Sequence, residues 1–139
     1  MDVLIVEDDD LVRDLICDDL SEAGLDVVCA ASGEDGLQAF ADEANHPAVV
    51  VTDVNLGPGM DGFALRVEAL RRWPAALVVM MSGNERNFDH MSERDRSMCF
   101  LKPFSTGALV RVVSAFRHLH PELFALVPVV RLAAHRSSP

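Results

Sequence analysis

Five short apolar runs punctuate the chain: Val3–Val6, Val27–Ala31, Ala48–Thr52, Leu77–Met81 and Met98–Leu101. Each is continuous, not alternating, and rich in Val, Leu, Ile or Met, which is the pattern of strands buried on both faces. Between the runs, apolar positions recur at helical spacing. Leu11, Val12, Leu15, Ile16 and Leu20 make one stripe, with Asp9 or Asp10 as a cap and Gly24 just past the end. Leu37, Phe40, Ala41 and Ala44 make a second, behind a Ser32 cap with Glu34 and Asp35 in the first turn, where the helix dipole favours acids. Phe63, Val67 and Leu70 sketch a third. Leu109, Val112, Val113, Phe116 and Leu119 form a fifth, capped by Ser105 or Thr106. The fourth segment, Asn84–Arg96, is polar and built from mediocre helix formers. Its sparse apolar residues, Phe88 and Met91, predict a short or mobile element.

Strict β-α alternation, five times over, predicts an α/β fold: a doubly wound, five-stranded parallel sheet with right-handed crossovers. The 139 residues fit one domain. We place it at residues 1–120, followed by a 121–139 C-terminal extension that is irregular and too short for an effector domain. The apolar run Leu123–Val130, broken by Pro128, folds back on the domain or forms a homodimer contact. No apolar run approaches the roughly 20 residues of a membrane span, and MDVLIVEDDD has no basic segment of a secretory leader. Cys17, Cys29 and Cys99 are odd in number and widely spaced, which predicts reduced thiols in a cytoplasmic protein, not a disulfide frame or zinc site.

Charge is unevenly placed within the net −10: residues 1–70 hold 17 acids against 2 bases, residues 71–139 hold 5 against 10. There is no basic stripe of the kind a phosphate-backbone binder carries, so no nucleic-acid partner is expected. The acids must be solvated or neutralised by a cation.

Ligands of open parallel sheets bind beyond the C-terminal strand ends. There the sequence puts Glu7, Asp8 and Asp9 after the first run, Asp53 after the third, Ser82 after the fourth and Lys102 after the fifth. Two carboxylates about 4 Å apart repel by roughly 4 kcal/mol at an effective dielectric near 20. Such a cluster raises a pKa or binds a cation. All-oxygen ligands beside an open crevice suit Mg²⁺ shared with phosphate oxygens. A hydroxyl and an ammonium opposite match a phosphoryl group, with Asp53 as nucleophile forming an aspartyl-phosphate. Lys102 is the sole lysine beside 11 arginines, as befits a compact ammonium for a small anion. Asp9, Asp10 and Asp61 read as caps or turn residues, the cysteines, Met80 and Met81 as core, and His118 and His120, two apart, do not share a helix face.

The runs VLIVEDD, VVVTDVNLGPGMDG, VVMMSG and FLKPF together resemble the receiver domain of two-component response regulators, in particular chemotaxis-regulator-like single-domain receivers. The resemblance spans residues 2–119. It implies a flavodoxin-like sheet of order 2-1-3-4-5, with Asp53 as phosphoacceptor, Asp8 as direct Mg²⁺ ligand beside Glu7, and the backbone carbonyl of Asn55 also on the metal. Ser82 and Lys102 would contact the phosphoryl group, and the Lys102–Pro103 bond would be cis. It implies a phosphoacceptor signalling domain, not an enzyme proper, that assists its own phosphorylation and dephosphorylation. Partners would be a histidine kinase or histidine phosphotransfer protein and an unidentified downstream protein, with no membrane.

Three departures stand out. The Asp53–Gly62 loop is one residue longer than usual, with Gly57 the extra residue. Cys99 replaces the aromatic expected three residues before Lys102, and Phe100 lies on the opposite strand face. The polar fourth element falls on the face many receivers use for output. The alternatives are a receiver segment of a hybrid histidine kinase or larger regulator, a phosphate sink, and an unphosphorylated docking module, which would lack one of the residues that are present. A haloacid-dehalogenase-type phosphatase needs a second acid where Asn55 stands, and a flavodoxin-like carrier would not place EDDD in its phosphate loop.

Overall fold

The structure, a computed structural model, describes residues 3–40, 46–89, 91, 97–103, 105–118 and 130–132. The strands are β1 Val3–Val6, β2 Val27–Ala30, β3 Val49–Asp53, β4 Leu77–Ser82, β5 Ser97–Leu101 and β6 Val130–Leu132. The helices are α1 Asp10–Glu22, α2 Gly33–Ala39, α3 Gly62–Arg72 and α4 Thr106–His118, with a 3₁₀ turn at Glu85–Phe88 between β4 and β5. Every strand pair is parallel, in the order β2-β1-β3-β4-β5-β6. The expected 2-1-3-4-5 order is thus present, and a sixth strand extends it. Residues 121–139 were expected to be irregular, yet Val130–Leu132 pairs with Met98–Phe100. The outer edge of β5 offers backbone donors and acceptors that a short segment can satisfy. Ala41, Ala44, Leu119, His120, Leu123 and Pro128 lie outside the described residues.

Alternate residues of each central strand feed two cores. Val3, Ile5, Val51, Val79 and Phe100 face α1 and α4, meeting Ile16, Leu20, Leu109, Val113 and Phe116. Leu4, Val6, Val50, Met80 and Cys99 face the other side, meeting Leu37, Phe40, Leu65, Trp73 and Phe88. The opposite facing expected for Cys99 and Phe100 is observed.

Two helix stripes are rotated from expectation. On α1, Ile16, Cys17 and Leu20 are buried, whereas Leu11 and Leu15 are exposed. On α3, Leu65 and Ala69 are buried and Val67 is exposed. The small residues explain the second case. Gly62 and Ala69 let α3 lie close on β3, and a Cβ on Gly62 would stand 2.2 Å from the Asp53 carbonyl oxygen. Caps follow the sequence: Asp9 accepts from the Leu11 and Val12 amides, Ser32 from Asp35, and Asp61 from Ala64.

The expectation of three reduced thiols is corrected. Cys17 and Cys29 form a disulfide, and Cys99 takes no part in it. Helix α1 packs against β2 and brings the two Cα atoms to 6.7 Å, within bridging reach. Their spacing in sequence gave no sign of this. Among the described residues no helix is long and apolar enough to cross a membrane.

Candidate functional site

Sheet register assembles the site. Val6 pairs with Thr52, so Glu7 comes level with Asp53, and Asp53 pairs with Met81, so Ser82 lies one residue beyond it. Ser82 pairs with Leu101, which puts Lys102 at the rim. The ladder continues past the strand ends through Val54 N–H to Met81 O and Lys102 N–H to Ser82 O, both 2.8 Å. Side chains separated by up to 95 residues in sequence therefore share one end of the sheet.

Glu7 and Asp53 are buried there, and Asp8 is exposed at the mouth. Each of the three offers an oxygen within 4.8 Å of the others. The Lys102 Nζ donates to Asp53 Oδ2 at 2.5 Å and to Glu7 Oε2 at 3.1 Å. The other Asp53 oxygen, Oδ1, accepts the Asn55 backbone N–H at 2.9 Å, and Glu7 Oε1 accepts the Asp9 N–H at 3.3 Å. Burial, then the nearby charge of Asp53, pushes the Glu7 carboxyl up to about 7, against the opposing pull of Lys102. For Lys102, burial alone would lower the pKa, but the hydrogen bond and charge of Asp53, with those of Glu7, outweigh it and leave it raised.

Two glycines shape the loop between β3 and α3. Gly62 lets the backbone pass against Asp53, and its N–H donates to Val54 O at 2.8 Å. Gly57 has φ +73°, a conformation side chains disfavour, and lies beside Asp8. Glu34 ties the far end of the loop down by accepting the Met60 N–H at 2.7 Å. The Lys102–Pro103 peptide is cis, as the resemblance implied.

The structure thus brings Glu7, Asp8, Asp53 and Lys102 together and sets Ser82, fully buried, at the adjoining strand end. Asn55 touches Asp53 through its backbone amide while the residue is exposed. Three participants were not singled out from sequence. Arg13 donates to the Glu7 carbonyl at 3.0 Å, and Asn84 and Asn87 hold the Ser82 hydroxyl. A helix-start asparagine two residues after Ser82 was the available signal for the last two. At the usual aromatic position, Cys99 packs among Phe88 and Met80, with Sγ 3.6 Å from Met91 Sδ.

Three carboxylates sharing one ammonium leave a surplus of anionic oxygen at an open mouth. That donor set fits a hard divalent cation. The buried Asp53 carboxylate beside the lysine has a cationic partner already in place.

A profile of the response regulator receiver domain matches residues 3–114. The chain belongs to this family. Among curated proteins, this receiver is 34% identical over 87 residues to the transcriptional regulatory protein AfsQ1 of Streptomyces coelicolor. That alignment covers 63% of this chain and 37% of AfsQ1, so the chain spans little more than a third of that regulator. Among solved structures, it resembles the receiver domain of the hybrid histidine kinase CckA at TM-score 0.68 and 28% identity, covering 84% of this chain and 98% of that one. It resembles a response regulator receiver domain protein from Clostridium thermocellum at TM-score 0.72 and 21% identity, over 83% and 92% of the two chains. TrrA from Thermotoga maritima, solved in complex with Mg²⁺-BeF, superposes at TM-score 0.70 and 22% identity, over 84% and 99%. The last two likenesses concern the fold.

Proposed function

We propose that this receiver takes a phosphoryl group on Asp53 from the phosphohistidine of a histidine kinase or phosphotransfer protein and signals through protein–protein contacts. The observation that carries the reading is the 2.5 Å contact between Lys102 Nζ and the buried Asp53 carboxylate, inside a ring of two further carboxylates. An Asp53 oxygen attacks phosphorus, the P–N bond to the imidazole breaks, and its electron pair leaves on nitrogen. The product is a mixed anhydride. Lys102, already on Asp53 Oδ2, holds the incoming phosphoryl oxygens, and the Asn55 N–H fixes the orientation of the carboxylate through Oδ1. Water returns the domain to its starting state by hydrolysing the anhydride, so the chain assists its own phosphorylation and dephosphorylation without being an enzyme proper.

Glu7, Asp8, Asp53 and the Asn55 carbonyl would hold Mg²⁺, whose chemistry is to neutralise charge shared by carboxylates and phosphoryl oxygens. The Mg²⁺-BeF complex of TrrA supports the same choice of ion. Incubation with acetyl phosphate tests the reading: Mg²⁺-dependent gain of one phosphate, abolished by EDTA and by Asp53→Asn, is expected. Equal labelling of Asp53→Asn would refute it. The same receiver acting inside a larger regulator is a second reading, favoured by the greater length of AfsQ1. The chemistry at Asp53 is the same in both.

A further inference from the structure

A serine hydroxyl has one donor and two acceptor positions. At Ser82 all three are engaged within the turn that follows β4. Oγ accepts from the Asn84 N–H at 3.0 Å and from Asn87 Nδ2 at 2.7 Å, and donates to the Asn84 carbonyl at 3.2 Å. The three bonds are unequal. The two that Oγ accepts have ordinary lengths, whereas the one it donates is long for O–H···O, whose mode lies near about 2.7–2.8 Å. With both acceptor positions filled, the hydroxyl acts only as a donor, and its proton is on the poorest of its partners. The Asn84 carbonyl also accepts the Asn87 backbone N–H at 3.1 Å. Losing the serine proton therefore leaves no orphaned carbonyl, and the exchange for a charged acceptor is favourable.

We propose that Asn87 is a positioning residue for phosphoryl recognition: its side-chain amide, with the Asn84 N–H, fills the acceptor positions of Ser82 so that the hydroxyl proton is available to an oxygen of the group on Asp53. The proposal rests on the reading of Asp53 as the acceptor. It gives the polar 3₁₀ turn Glu85–Phe88 a task in a chain whose usual aromatic position holds Cys99. Asn87 lies in that turn, so a change at the Ser82 hydroxyl reaches the turn through one hydrogen bond.

The probe is beryllium fluoride with Mg²⁺, titrated into the whole chain by amide NMR. Asn87→Ala is expected to weaken binding about tenfold, the size of one hydrogen bond to a charged group. Asn87→Asp keeps the shape but supplies an acceptor that takes the serine proton, and is expected to lose at least as much. In a Ser82→Ala background, Asn87→Ala should change affinity less than twofold. The Asn87 side-chain NH₂ resonances should move toward those of exposed asparagines in Ser82→Ala. Wild-type affinity in both Asn87 variants, or the same loss with and without Ser82, overturns the proposal. Failure of the underlying reading is seen separately, as a wild-type chain that takes no beryllium fluoride or takes it equally as Asp53→Asn.

Discussion

The Lys102 ammonium bridges Asp53 and Glu7, at 2.5 Å from one carboxylate and 3.1 Å from the other. These residues stand on β5, β3 and β1, or just past them, so one cation pins three strand ends together. Removing one partner of such a group leaves buried charge uncompensated, which is strongly unfavourable. Lys102→Met is expected to slow acetyl phosphate labelling on the order of 100-fold, the scale of losing one charged donor to a developing anion. Initial labelling rates measure this. Lys102→Arg should restore the positive charge but not the rate, because a planar fork cannot occupy the place of a compact ammonium. Full activity of the arginine variant would show that charge alone suffices.

Glu7 makes stability depend on pH in a defined direction. Its carboxyl titrates at about 7 in the fold against an ordinary 4.5, so between those values the folded chain holds a proton that the unfolded chain has released. The resulting stabilisation is complete below about pH 4.5 and is lost as pH rises through 7. A shift of this size corresponds to about 3 kcal/mol at 1.36 kcal/mol per unit. In metal-free urea titrations, the stability difference between Glu7→Gln and wild type should therefore grow in favour of the variant from pH 5 to pH 8. A difference that stays flat across that range would contradict the assigned burial and the Asp53 repulsion.

The disulfide joins α1 to the edge strand β2. Thiol titration of the unfolded, unreduced chain should find one thiol, from Cys99, and three after reduction. Reduction should lower stability by roughly 2–3 kcal/mol, as expected for closing a short loop. Three thiols before reduction would return the cysteines to the state their spacing predicts.

The order of the elements and the strand-end chemistry were legible because they depend on local pattern. Val3–Val6 and Leu77–Met81 read as strands from composition alone, and Glu7, Asp53, Ser82 and Lys102 stand where parallel strands end. Helix facing was less legible. Leu11, Leu15 and Val67 fit an apolar stripe but are exposed. For Val67 the reason is that close packing at Gly62 and Ala69 sets the rotation of α3, and a hydrophobicity pattern weighs small residues too lightly. Two contacts between elements left no trace in the sequence: the Cys17–Cys29 bond between the consecutive α1 and β2, and the pairing of Val130–Leu132 with β5. The Asn87–Ser82 bond is local, but it follows from a turn geometry that the polar composition of the segment did not specify.

The most direct measurement locates the phosphate. Borohydride reduction of the chain after acetyl phosphate and Mg²⁺ treatment converts an aspartyl phosphate to homoserine, which peptide mass spectrometry places in the sequence. Homoserine is expected at position 53 and nowhere else, and none without Mg²⁺. Homoserine at Asp8 or another acid, or phosphate retained on a residue that borohydride does not reduce, would contradict it.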